Sequence, residues 1–453
     1  MIDLTAPATP AGLHAASIAA TSVTLGWTAA TDNVGVTGYG VQRDGTDAGT
    51  AAGPAFTVSG LAACTSYTFT VTARDAAGNA SPPTAALTVR TAGCATAALF
   101  VAPGGSNANP CTDPALPCAT FDGAFDRATA GDVVEVAGGT YAAQDISGDR
   151  GGLVTFRPAT GATVTMHGTL SLAGVQHVKL VDFHFPRVDP NYDLLLRPCN
   201  GDVTLENSTG RRFFIFEGNS DITFSGGAWG GYSTPDDEDS GIGIENPTTL
   251  ATCNGTTAPP AHNIVFDGVT FHDVFWIPTC TVDASGGRCV EWGASHPDCL
   301  EINGYVDGVT IRNSTFERCG NTMLSLYTDQ GNVENVVVRN NTFRQMSPTS
   351  YYGLQWTDTT DGFYCSGDKF LDNSYLPNAP TAWQPNTPPR FECNVKPGGI
   401  PTEVAGNTFQ TGPSTMDCDR SKTTDPGYTP PHVYDTNWRD NTFTDPATAC
   451  STP

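Results

Sequence analysis

The chain predicts an all-β protein in two parts: a small β-sandwich over residues 1–93, then a parallel solenoid of short strands over residues 94–453. Three observations carry this. The phrase Val309-Thr-Ile-Arg-Asn-Ser-Thr-Phe316 returns about 27 residues later as Val336-Val-Val-Arg-Asn-Asn-Thr-Phe343, a period typical of stacked repeats. In both copies apolar and polar residues alternate, the mark of a strand with one buried face. The composition, with 49 Gly, 33 Pro and 15% charged residues, favours turns and strands over helix.

The first strands are read from Ser22-Val-Thr-Leu-Gly-Trp27, Gly38-Tyr-Gly-Val-Gln-Arg43 and residues 66–74, which alternate between turn signals. Pro7 and Pro10, Trp27, Leu61 ahead of Tyr67, and Asp75-Ala-Ala-Gly-Asn-Ala-Ser81 make this segment resemble a fibronectin type III module. The resemblance implies a spacer or binding unit, and no active site is expected in it.

After Cys94, residues 121–128 form the one good amphipathic helix, with Thr120 as its N-cap. Gly131-Asp-Val-Val-Glu-Val136 then opens the strand series. A strand, a cysteine loop, a helix and a Gly-Asp strand in this order resemble the opening of secreted right-handed parallel β-helix proteins, the pectate-lyase-like fold. That resemblance implies a single-stranded, three-sheet solenoid whose N-terminal capping helix shields an open edge.

Phrases ending at Phe185, Phe271, Phe316, Phe343, Phe370, Phe409 and Phe443 recur to the end of the chain and predict internal apolar ladders. Asp182, Asp267, Asn313, Asn340 and Asn407 precede these residues, and the resemblance makes them a hydrogen-bonded turn ladder. Fitting the family's coil makes 194–197, 214–217, 242–245, 298–302, 323–327 and 353–356 first strands. Alternation then points Phe216, Ile244, Ile302, Leu326 and Trp356 inward. Ile215, Gly243, Glu301, Ser325 and Gln355 form one outward column. Glu217, Glu245, Asn303, Tyr327 and Thr357 form the next. Characterised relatives of the fold hold polysaccharide on this outward surface.

With 22 basic against 46 acidic residues, the net charge of −24 argues against nucleic acid and anionic membranes as partners and permits divalent cations. No apolar run is long enough to span a bilayer. The 14 cysteines include no C-x-x-C pair. Neighbour pairing would join Cys64 to Cys94, Cys111 to Cys118, Cys199 to Cys253, Cys280 to Cys289, Cys299 to Cys319, Cys365 to Cys393 and Cys418 to Cys450. Full oxidation implies a secreted, extracellular protein. The opening residues lack a signal peptide's apolar core, so a mature form with an added Met1 is expected, as a monomer.

The densest polar group is His296, Asp298 and Glu301, at the mouth and middle of one first strand, behind a loop at 276–295 that carries Trp292. A stapled, aromatic-bearing loop beside a polar strand makes a cleft wall; solvated strand and turn residues are the competing interpretation. Glu217 and Glu245 are expected to stack on successive coils, about 4.8 Å apart. Asp237 and Asp239 precede the same strand, so a calcium site with Glu217 is the cofactor expectation, against a merely solvated acidic loop. Tyr327, Tyr351, Tyr352 and Trp292 offer flat faces to sugar rings, and Asn303, Gln355 and Arg197 complete the substrate-binding set. Polysaccharide lyase action is placed first, with His296 or Tyr327 as base and calcium on Asp298, Glu301 or Glu245 neutralising the substrate carboxylate. An inverting hydrolase using Glu301 and Glu245 follows closely, and non-catalytic glycan binding is third.

Overall fold

The computed structural model describes residues 3–93, 96–185, 193–234, 242–245, 251–276, 280–282, 289–292, 298–319, 322–328, 331–344, 354–357, 364–376, 390–392, 395, 399–409, 424–425, 432–433 and 436–443. The chain divides into two compact units, Met1–Thr96 and Ala97–Pro453.

The first unit is a sandwich of two antiparallel sheets. One contains Ala11–Ile18, Ser22–Thr28 and Ala55–Ser59; the other orders Thr46–Ala51, Val36–Arg43, Ser66–Asp75 and Leu87–Arg90. Alternation decides the facing: Val23, Leu25 and Trp27 from one sheet meet Tyr39, Val41, Phe69 and Val71 from the other, all buried. The Trp27 and Tyr39 rings meet edge to face at 5.3 Å. Tyr67 Oη accepts from Ala62 N at 2.9 Å, pinning the crossing before its own strand.

In the second unit the chain visits three parallel sheets in a fixed cycle, which makes it a parallel β-helix. Among the described residues the first sheet has nine strands, from Gln144–Ser147 through Gly243–Glu245, Glu301–Asn303 and Leu324–Tyr327 to Arg390–Glu392. The second runs from Leu99–Val101 to Thr436–Arg439, and the third from Thr209–Gly210 to Thr442–Phe443. A short helix, Phe121–Phe125, is capped by Thr120, whose side chain accepts from Gly123 N. Phe121 packs among Tyr141, Phe156 and Phe183 with ring centroids 5.2–5.8 Å apart.

Residues aligned on successive coils form the core. Phe271, Phe316 and Phe343 stack with centroids 4.7 Å apart, and Tyr375 and Phe409 follow in register. Phe370 departs from the expected column: it pairs with Val338 and Val404 in the second sheet, and Tyr375 holds its expected place in the third. The expected turn ladder forms over Asp267, Asn313 and Asn340, Asp182 accepts from Asn207 in the same way, and a second ladder runs one residue further along the chain. Asn341, Asn373, Asn407 and Asn441 form a mostly buried chain in which each Oδ1 accepts from the preceding Asn. Asp267, Asn313 and Asn340 form the outer ladder. Asn313 and Asn340 take positive φ there, the conformation Asn tolerates. Gly406 holds that left-handed position in the later coil, so Asn407 belongs to the inner ladder.

Cys111–Cys118, Cys199–Cys253 and Cys299–Cys319 are joined as expected. Cys64 and Cys365 are also disulfide-bonded. Cys94, Cys393, Cys418 and Cys450 lie outside the described residues, as do the side chains of Cys280 and Cys289. Among the described residues no helix is long and apolar enough to cross a membrane.

Candidate functional site

Strand register builds the outward face of the first sheet. Gly243 pairs with Glu301, Glu301 with Ser325, Ser325 with Gln355, and Gln355 with Arg390. Beside this column, Glu245 pairs with Asn303, Asn303 with Tyr327, and Tyr327 with Thr357. Ile302, between Glu301 and Asn303, is fully buried in the core, which turns its two neighbours to the opposite face.

Glu301 and Asn303 are each 7% exposed, and Asn303 Nδ2 donates to Glu301 Oε1 at 3.2 Å. That bond fixes the carboxylate on a rigid strand, where orientation is kept better than on a loop. Asp298 is fully buried. Its Oδ1 accepts from Thr322 N at 2.9 Å, and its Oδ2 accepts from Ser325 Oγ. Asp298 therefore ties its own coil to the next and holds Ser325, the in-register neighbour of Glu301. No surface of Asp298 is open to a substrate.

The register corrects the expected position of Glu217. Phe214 pairs with Gly243 and Ile215 with Ile244, so Ile215 points inward and Phe216 falls level with Glu245. A one-residue shift reverses every side chain on a strand. Glu217 thus lies beyond the Glu245 column, fully buried, with Oε1 accepting from Ala251 N at 2.6 Å. Its Oε2 is buried and has no hydrogen-bond partner among the described residues.

Arg197 is exposed, and its Nε donates to buried Ser171 Oγ at 2.9 Å. Tyr327 is half-buried on its strand. Phe214 and Phe216 bring their rings 6.2 Å apart on the outward face between Arg197 and Glu245. Sequence reading missed Arg390. Its backbone register falls in the Glu301 column, and the alternation of Arg390-Phe-Glu392 was the available signal; its side chain lies outside the described residues. Trp292 lies on a strand, Cys289–Trp292, that pairs antiparallel with Cys280–Val282. His296, Tyr351, Tyr352, Asp237 and Asp239 lie outside the described residues, as do the side chains of Glu245, Gln355 and Trp292.

Residues 8–90 match the fibronectin type III domain family. Over 89 residues the chain is 54% identical to an exoglucanase B of Cellulomonas fimi, covering 20% of this chain and 8% of that protein. Over 90 residues it is 51% identical to a chitinase A1 of Niallia circulans, covering 20% of this chain and 13% of that one. The chain thus spans only a small part of these relatives' length. Among solved structures, a family 28 exopolygalacturonase from Yersinia enterocolitica aligns over 96% of both chains, at 14% identity and a TM-score of 0.41.

Proposed function

We propose that this chain cleaves glycosidic bonds of an acidic polysaccharide on the outward face of its first sheet, by hydrolysis with inversion. The observation that carries the chemistry is the diagonal placement of two glutamates: Glu245 pairs with Asn303, and Glu301 with Gly243, on adjacent strands. Strand spacing and rise put the two positions about 8 Å apart, inside the range that leaves room for a water between an acid and a base. Glu301, fixed by Asn303 and backed by the Asp298–Ser325 bond, is the better placed to keep one orientation. Arg197 is exposed on one side of Glu301, and Arg390 holds a register position in the Glu301 column on the other, which suits an anionic chain running across the coils. The fibronectin type III segment, similar to segments of an exoglucanase and of chitinases, supports a carbohydrate setting, and the disulfides support an extracellular life.

β-Elimination is the second reading, favoured by the same two arginines, since a uronate carboxylate must be neutralised before its α-proton is removed. In that chemistry a bound calcium ion would supply further positive charge. Glu217, with a buried Oε2 that accepts from no donor among the described residues, has the character of a cation ligand. It lies off the catalytic face, so no step passes through it.

Product analysis on uronate-containing glycans separates the two. New reducing ends without ultraviolet-absorbing unsaturated uronate are expected. Unsaturated products would overturn the hydrolytic reading in favour of elimination, and intact substrate with retained binding would leave only a glycan-binding surface. Glu301→Gln should lower turnover about 10²–10⁴-fold, the range for loss of a general acid or base, with the fold unchanged by circular dichroism.

A further inference from the structure

We infer that Arg197 and Phe216 form a subsite that holds one uronate residue of the glycan, Phe216 taking the face of the sugar ring and Arg197 its carboxylate. The inference rests on the outward face of the first sheet being the face that binds glycan. It does not depend on how the bond is broken.

Strand pairing sets the place. Leu196 pairs with Ile215, and Ile215 with Ile244, so Arg197, Phe216 and Glu245 follow one another level on successive coils. The ladder runs on through the first two: Phe216 N donates to the Leu196 carbonyl at 3.1 Å and Arg197 N to the Leu172 carbonyl at 2.9 Å. Leu196 and Ile215 are fully buried, which turns Arg197 and Phe216 to the outward face. Phe216 thus stands one strand from the Glu245 position, and Arg197 about 10 Å from it.

The arginine is held in place and left open. Its Nε donates to Oγ of Ser171, 6% exposed, on the preceding coil. Among the described residues no carboxylate pairs with its guanidinium. In a chain with 46 acidic and 22 basic residues, an exposed arginine fixed by a buried hydroxyl and lacking an acid points to an anionic ligand. Its planar fork matches a carboxylate. Half-buried Phe216 keeps part of its ring open beside it, backed by the buried Phe214 ring at 6.2 Å. A flat aromatic face suits the apolar face of a sugar.

A buried amide pair supports both residues. Asn219, fully buried, places Nδ2 at 3.0 Å from the Arg197 carbonyl and 2.8 Å from the Phe216 carbonyl. Asn200 Nδ2 donates to the Arg197 carbonyl at 2.6 Å and to Asn219 Oδ1 at 2.9 Å. Such support keeps the pair in one geometry. On the coils before Arg197 the charge reverses. Ile146 is fully buried, so exposed Asp145 points outward, and Ser147 Oγ lies 3.2 Å from Asp122 Oδ1. A uronate placed there meets like charge, which leaves Arg197 as the anchor for a single carboxylate on this side.

The test is isothermal calorimetry on the full-length Glu301→Gln variant with oligosaccharides of galacturonate, glucuronate and mannuronate, each as free acid and as methyl ester. Adding Arg197→Gln is expected to weaken binding of the acid about tenfold or more and to leave the ester nearly unchanged. Adding Phe216→Ala should weaken acid and ester by a similar factor. Arg197 is exposed, so Arg197→Gln keeps the test valid if Phe216→Ala fails to fold. Equal affinity for the acid with and without Arg197→Gln would overturn the subsite while leaving the first sheet as the binding face. Failure of every oligosaccharide to bind Glu301→Gln would overturn the assignment of that face, and the subsite with it.

Discussion

Asp368 shows how one residue can set a pH dependence. It is fully buried, its Oδ1 accepts from Val336 N at 2.9 Å, and its Oδ2 has no partner among the described residues. Burial pushes its carboxyl well above the usual carboxylate range, the Val336 bond opposes this, and the Glu334 charge adds to the rise. In the folded state the group holds its proton to higher pH than in the unfolded chain. Its stabilising contribution is therefore complete below about pH 4, the unfolded value, and is lost as pH rises toward the folded one. Asp368→Asn copies the protonated form at every pH. Its unfolding temperature should match wild type in acid and exceed it increasingly as pH rises. A difference that does not change with pH would contradict this. Glu301 and Asn303 were legible at this scale because alternation around Ile302 leaves no doubt about facing. The burial of Asp298 was not, since its partners Thr322 and Ser325 come from the following coil.

At the scale of the element, existence was easier to read than register. The strands around Phe271, Phe316 and Phe343 declare themselves by alternation. Phe213-Phe-Ile-Phe216 has no polar residue to mark its outer face, so inward and outward settings look alike until the neighbouring coil is known. That is why Glu217 was expected beside Glu245 and lies instead beyond it. Asn340-Asn341 presents the same ambiguity, since either Asn can serve the inner ladder; backbone conformation decides it.

The inner ladder is itself a strong structural element. Asn373 Oδ1 accepts from Asn341 N and Nδ2, and its Nδ2 donates to the Val338 carbonyl and Asn407 Oδ1. Asn373→Ala strands several buried polar groups, each costing about 1–3 kcal/mol. A loss of about 3 kcal/mol or more is expected in urea-induced unfolding, whereas a loss under 1 kcal/mol would show that the ladder is not a source of stability.

For the whole molecule, the all-β character, the opening fibronectin type III module and the parallel coils were readable because they rest on composition and local pattern. The columns of the first sheet depend on contacts between residues tens of positions apart. Arg390 is the clearest case: three strands after Glu301, following a Pro-rich stretch, it returns to the same column.

The most direct measurement is a crystal structure of the full-length Glu301→Gln variant soaked with an acidic oligosaccharide. The sugar is expected on the first sheet, with a glycosidic oxygen within hydrogen-bond reach of residue 301 or 245 and carboxylates turned toward Arg197 or Arg390. An oligosaccharide bound only to another face, with the Glu301 column bare, would contradict the assignment.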